Sequence, residues 1–260
     1  MNDLPPLVAV SLKMYFGVAD TRAWIADVVE VAERLDVGTR VELAILPTFP
    51  LLESTAETLA GTGIRWGAQD VAAWPDGAQT GEVSVAVLAE LGCRYVEIAH
   101  VERRRLFGED EAMFRAKVAQ VVGAGLVPIY CVGEDVRGDR DAAVQACLEQ
   151  LEPLLEVAAG EEVAVAYEPA WAIGASEPAP AEYVAEVCAH LRARLDSYAG
   201  RSRLLYGGSA GPGTYYTLGS AVDGLFVGRF AHDTRALAQV VTEVLASGKS
   251  RTASLTSIKE

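Results

Sequence analysis

Residues 163–176 read VAVAYEPAWAIGAS, and the first half of that stretch decides the fold class. Five apolar or aromatic residues follow one another without polar alternation, which is the pattern of a strand covered on both faces. The same pattern returns in VELAIL (41–46), LVPIYCV (126–132) and GLFVG (224–228). At Glu168 the apolar run gives way to a carboxylate, followed at once by Pro169, whose fixed φ helps to hold the direction of the chain. A carboxylate so placed suits a general base; a solvated loop glutamate is the alternative on this stretch alone. The tract 169–180 is rich in Ala, Gly and Pro around Trp171, a composition that fits a hinged lid and an ordinary loop equally well.

Along the whole chain, strands are expected near 7–12, 41–46, 64–69, 94–100, 126–132, 163–168, 203–207 and 223–228. Helical periodicity fills stretches between them, at 21–35, 83–91, 111–122, 141–157, 181–195 and 234–245. Crossovers of that length imply parallel strands. A doubly wound open sheet and a closed barrel both bury strands in this way, but eight successive β/α units without a linker favour an α/β fold of the (β/α)8-barrel type. The expected organisation is one catalytic domain over 1–248 and a polar tail over 249–260. In such barrels reactive groups gather at the C-terminal ends of the strands. Lys13, His100 and Glu168 fall there, on strands 1, 4 and 6, and glycine-rich loops follow strands 7 and 8.

Composition narrows the partners. The 260 residues are 51% hydrophobic and 22% charged, enough apolar material for one sizeable core. A net charge of −14 repels nucleic acid and anionic membrane surfaces, so neither is an expected partner and an anionic substrate needs a local grip. Cys93, Cys131, Cys147 and Cys188 form no CxxC pair and lie in apolar segments, which argues against a metal site or a disulfide framework and for the reducing cytoplasm. No basic leader and no membrane-length apolar run is present in the sequence.

His100, in EIAHVERRR, reads either as a satisfied core histidine or as a neutral imidazole that donates to a substrate carbonyl; the run VERRRLF behind it would supply a helix start. Lys13 reads as an anchor for anionic charge or as a structural lysine with its stem buried. The glycines of YGGSAGPG and DGLFVGRF offer backbone N–H groups where barrels commonly bind phosphate. As a dinucleotide fingerprint they are weak, since no acidic residue closes a following strand.

Together these residues resemble the triosephosphate isomerase family over nearly the whole chain. The resemblance rests on LKM (12–14), GAQD (67–70) and GAQTGEVS (77–84), AHVERR (99–104), CVGE (131–134), YEPAWAIG (167–174), YGGS (206–209) and DGLFVG (223–228), in order. It implies a cofactor-free, metal-free isomerase that moves a carbonyl along a small phosphorylated sugar through an enediolate. Glu168 would be the base, His100 the electrophile that shuttles a proton between oxygens, and Lys13 the stabiliser of enediolate and phosphate charge. Glu102 would stand behind Lys13, and Cys131 near the base. Gly174, Ser209 and Gly228 would grip the phosphate, and the loop with Thr80 at its tip would insert beside a neighbouring subunit's site in a homodimer.

The sequence also departs from the family pattern. Asn-x-Lys is here Ser11-Leu12-Lys13, Gly-His-Ser-Glu is Ala99-His100-Val101-Glu102, the paired glycine of loop 8 is Gly228-Arg229, and Thr-Gly of loop 6 is Ala175-Ser176. Ser11, Arg229 and Glu97 are similar to the L-erythrulose-1-phosphate isomerase branch, while Val101 fits neither branch. The substrate in that branch is dihydroxyacetone phosphate with a hydroxymethyl group added on the carbon that loses its proton. A tetrulose phosphate is therefore the favoured expectation. A triose phosphate is the alternative, and a catalytically silent sugar-phosphate-binding barrel is a third reading.

Overall fold

A computed structural model describes residues 4–174 and 179–254. The strands β1 (Leu7–Ser11), β2 (Glu42–Leu46), β3 (Arg65–Ala68), β4 (Tyr95–Ile98), β5 (Val127–Val132), β6 (Val163–Tyr167), β7 (Ser202–Tyr206) and β8 (Gly224–Val227) close into a barrel in sequence order. Every pairing is parallel, and β1 meets both β2, at Val8–Leu43, and β8, at Val8–Leu225. Most strands are slightly shorter than the expected runs because the ladder stops where the chain turns outward into the loops, while β7 keeps its length and starts one residue earlier, at Ser202. Among the described residues no helix is long and apolar enough to cross a membrane.

Around the barrel lie α1 (Val18–Leu35), α2 (Leu52–Leu59), α3 (Val85–Glu90), α4 (Val101–Phe107), α5 (Glu111–Gly123), α6 (Arg140–Ala158), α7 (Ala181–Asp196), α8 (Thr214–Leu218) and α9 (Thr234–Ser254). The longer ones bury one stripe, in α1 Trp24, Ile25, Val28, Val31 and Ala32, whereas α4 buries none of its residues. Two short helices, α2 and α8, lie in stretches where the sequence showed no clear period, since one or two turns are too few to display it. Helix α9 runs to Ser254, into the stretch expected as a tail, and 255–260 lie outside the described residues.

The two-residue period of a strand sorts the barrel's side chains into two populations. Val8, Val10, Leu43, Ile45, Val96 and Ile98 face outward and pack under the helices, while Leu7, Ala9, Ala44, Leu46, Tyr95, Ile129, Ala164, Ala166 and Leu205 fill the interior. Polar residues take the inward row only near its ends. Toward the N-terminal ends Arg203 donates to Glu42 (2.8 Å) and Glu162 (2.9 Å), and Tyr95 donates to Glu42 (2.8 Å). Toward the C-terminal ends the same row reaches Ser11 and Glu97.

The Arg203 guanidinium is 2% exposed, and its two carboxylate partners are 14% and 8% exposed. Removing one partner of a buried ion pair leaves the other uncompensated, a loss of about 3–5 kcal/mol. Arg203→Ala is therefore expected to lower stability by that order, read as a fall in the urea midpoint at fixed protein concentration. An unchanged midpoint would show that the interior charges at this end do not depend on one another.

Candidate active site

A cavity of about 460 Å³ opens at the C-terminal end of the barrel, and its lining brings together Ser11, Lys13, His100, Glu102, Glu168, Gly174, Ser209, Gly228 and Arg229. These come from the ends of β1, β4, β6, β7 and β8 and from the loops that follow. Cys131 and Glu97 lie behind the lining. Ala175 and Ser176 fall outside the described residues.

Lys13 stands two residues beyond β1 with φ 50°, a left-handed backbone that side chains other than glycine adopt at a cost. Gln69 holds it there: its amide donates to the carbonyls of both Lys13 (3.1 Å) and Leu46 (2.9 Å). The ammonium is 2.7 Å from Glu102 Oε1. Burial works against the charged amine, but the hydrogen bond to Glu102 and the charges of Glu168, Glu102 and Glu97 outweigh it, so the Lys13 pKa is raised. Burial acts on Glu102 in the opposite sense to Lys13, and Lys13 prevails, leaving that carboxylate below its usual range.

His100 is the residue that opens α4. The N–H of Glu102 donates to its Nδ1 at 3.1 Å. A ring nitrogen that accepts carries no proton, so the neutral ring has its proton on Nε2. That nitrogen is 3.6 Å from Glu168 Oε2, too far for a hydrogen bond between them. Ala99, just before it, has φ 64°. Glycine would take that conformation without strain, so the departure from Gly at this position costs the chain about 1 kcal/mol.

Glu168 follows β6 directly, its N–H donating to Val132 O at 2.8 Å. Its side chain is 8% exposed, and Oε2 is buried without a hydrogen-bond partner. Two glycines make room for it. A methyl group on Gly133 would overlap the Glu168 carbonyl oxygen, and one on Gly207 would sit 2.5 Å from Oε1. Cys131 is fully buried beside it; burial, then the charges of Glu168 and Glu97, push the thiol pKa well above its usual value, so it stays a neutral neighbour.

The loop after Glu168 begins on an anchor the sequence did not reveal. Buried Glu134 accepts from Trp171 Nε1 (2.7 Å), Tyr183 OH (2.9 Å) and Tyr167 OH (3.2 Å), tying the loop's first turn to β6 and α7. Ser209, with φ 57°, donates its hydroxyl to Ala172 O at 2.8 Å. A methyl group on Gly174 would come within 3.5 Å of the Arg229 guanidinium, so the cation lies against the described end of that loop. Val101 is absent from the lining, and Thr80 sits exposed on a turn outside it.

Over residues 6–244 the chain matches the family model for triosephosphate isomerase. It belongs to the triosephosphate isomerase family. It is 46% identical to the L-erythrulose-1-phosphate isomerase of Pectobacterium atrosepticum over 244 residues, 91% of this chain and 94% of that protein. It is 40% identical to the triosephosphate isomerase of Thermus thermophilus, over 85% and 92% of the two chains, and 39% identical to that of Bordetella pertussis, over 78% and 82%. As a member of this family it is a sugar-phosphate isomerase built on a (β/α)8 barrel.

The two glycines around Glu168 offer a test of how closely the carboxylate must be held. Gly133→Ala and Gly207→Ala displace Glu168 by roughly an ångström, and misplacement of that size costs ~10²-fold in rate. Turnover should fall by about that factor in each variant while far-UV circular dichroism stays unchanged. Full activity in both would mean that the Glu168 geometry is not limiting.

Proposed function

We propose that this isomerase converts L-erythrulose 1-phosphate to D-erythrulose 4-phosphate. The observation that carries the chemistry is the unpartnered Oε2 of Glu168, buried 3.6 Å from a histidine Nε2 that holds a proton. In this reading Glu168 takes the proton from the carbon beside the ketone and returns it to the neighbouring carbon. His100 donates from Nε2 to the oxygen that gains negative charge and moves a proton between the two oxygens of the enediolate. Lys13, kept cationic by its carboxylate neighbours, stabilises that charge and the phosphate; fixed donors of this kind act most strongly where water is excluded. Gly174, Ser209, Gly228 and Arg229 hold the phosphate. No step calls for a metal or a cofactor.

Support for a four-carbon substrate comes from position 11, where serine is shorter than the usual asparagine and faces the cavity, from Arg229 in the lining, and from the name of the Pectobacterium relative. The triose phosphate reading has the names of the Thermus and Bordetella relatives behind it. The intact set of Lys13, His100 and Glu168 speaks against a silent binding barrel. The homodimer reading places the Thr80 loop against a neighbouring subunit; Met14, 92% exposed beside Lys13, and exposed Trp74 give that face apolar surface to bury. Four free, buried cysteines accord with a cytoplasmic location.

A coupled assay on both substrates tests the reading. The wild type should prefer L-erythrulose 1-phosphate, and Ser11→Asn with Arg229→Gly should move the ratio of kcat/KM values toward dihydroxyacetone phosphate by at least about tenfold. Turnover of dihydroxyacetone phosphate at ~10⁷–10⁸ M⁻¹s⁻¹, with none of the tetrulose, would overturn it. Light scattering at assay concentration should give a dimer; a fully active monomer would contradict the role given to the Thr80 loop.

A further inference from the structure

One buried acid of the barrel interior takes no part in the proton transfers just described. Glu97 lies on the inward row of β4, 4% exposed, behind the cavity lining. Its Oε2 accepts a 2.8 Å hydrogen bond from Ser11 Oγ, which reaches it across the barrel from β1. Ser11 itself lines the cavity.

A serine hydroxyl has one proton and two lone pairs. As long as the proton is given to Glu97, Ser11 can offer the cavity only an acceptor. An asparagine at this position would offer two donors as well. We propose that Glu97 is a specificity-determining positioning residue, which holds the Ser11 proton and so makes position 11 a hydrogen-bond acceptor for a hydroxyl of the sugar. The inference rests on the tetrulose reading for the identity of that group, the hydroxyl on the added carbon. A triose phosphate lacks it. In that complex the Ser11 oxygen is left without its partner, and an unpaired buried polar group is what makes such sites selective.

The surroundings of Glu97 make this polarity depend on pH. Lys13 faces it from the end of β1, His100 from the end of β4, Cys131 from β5 and Glu168 from the end of β6. Burial foremost, with Glu168 adding to it, lifts the Glu97 carboxyl to a pKa of about 7, against the opposing pull of His100, Ser11 and Lys13. Above that pH Glu97 is an acceptor and keeps the Ser11 proton. Below it the carboxyl carries its own proton, donates to Ser11 Oγ, and turns the serine proton toward the cavity.

Glu97→Gln copies the low-pH state with an isosteric neutral side chain that the interior accepts without a buried charge. At pH 8 it should lower kcat/KM for L-erythrulose 1-phosphate by at least about tenfold, mainly through KM, because a hydroxyl held equally in ground and transition state leaves kcat nearly unchanged. The wild-type to variant ratio should fall toward one as the pH drops from 8 to 6, groups common to both proteins cancelling in it. In a Ser11→Ala background the same change at Glu97 should cost less than about twofold, since the hydroxyl through which it acts is gone. An equal loss in both backgrounds, a ratio independent of pH, or an equal loss with dihydroxyacetone phosphate would overturn the proposal. A wild type that ignores the tetrulose overturns the substrate reading instead, and the same double-mutant cycle run on the triose then decides whether Glu97 acts through Ser11.

Discussion

Closure of eight parallel strands in sequence order is the constraint from which the site follows. With β1 paired to both β2 and β8, no strand has a free edge, and each strand's alternate residues must point into a shared interior that water does not enter. Apolar side chains fill the middle of that interior. Polar ones survive near its ends, where they can pair: Arg203 with Glu42 and Glu162 at one, Ser11 with Glu97 at the other. Lys13, His100 and Glu168 stand just past the ends of β1, β4 and β6, where the ladder ends and the backbone is free to turn. Lys13, Ala99 and Ser209 all take left-handed conformations there, a cluster of local strain that the rigid strands below sustain.

The carboxylates Glu102 and Glu168 in the cavity lining, with Glu97 behind it, suit a site that must keep a lysine charged. Glu102 makes two contacts from one residue: its carboxylate holds the Lys13 ammonium, and its backbone N–H donates to His100 Nδ1. Glu168 is then the carboxylate without a partner on Oε2, the property a base requires before substrate arrives. Arg229, set on the turn after β8 against Gly174, adds a second positive charge to the lining.

The barrel was legible because strands buried on both faces are unbroken apolar runs, and eight of them were spaced for crossover helices. Lys13, His100 and Glu168 stood out as candidates because each ends such a run at the rim where a barrel gathers its reactive groups, although each also had a structural reading. What stayed hidden was long-range pairing. Nothing local in GAQD announces that Gln69 clamps the Lys13 backbone, and nothing in CVGE says that Glu134 collects Trp171, Tyr167 and Tyr183 or that Gly133 is small to admit Glu168. Likewise nothing around Ser11 shows that its hydroxyl is committed to Glu97, 86 residues away. Such contacts are set by barrel closure, which sequence neighbours do not record.

In the proposed mechanism one carboxylate, Glu168, carries a proton between adjacent carbons of the sugar. Isomerisation in deuterated water tests it most directly, because a proton resting on a carboxylate exchanges with solvent in competition with its return to carbon. Carbon-bound deuterium is expected in the product or in recovered substrate. Complete retention of the original hydrogen in both, as a direct hydride shift would give, would contradict it.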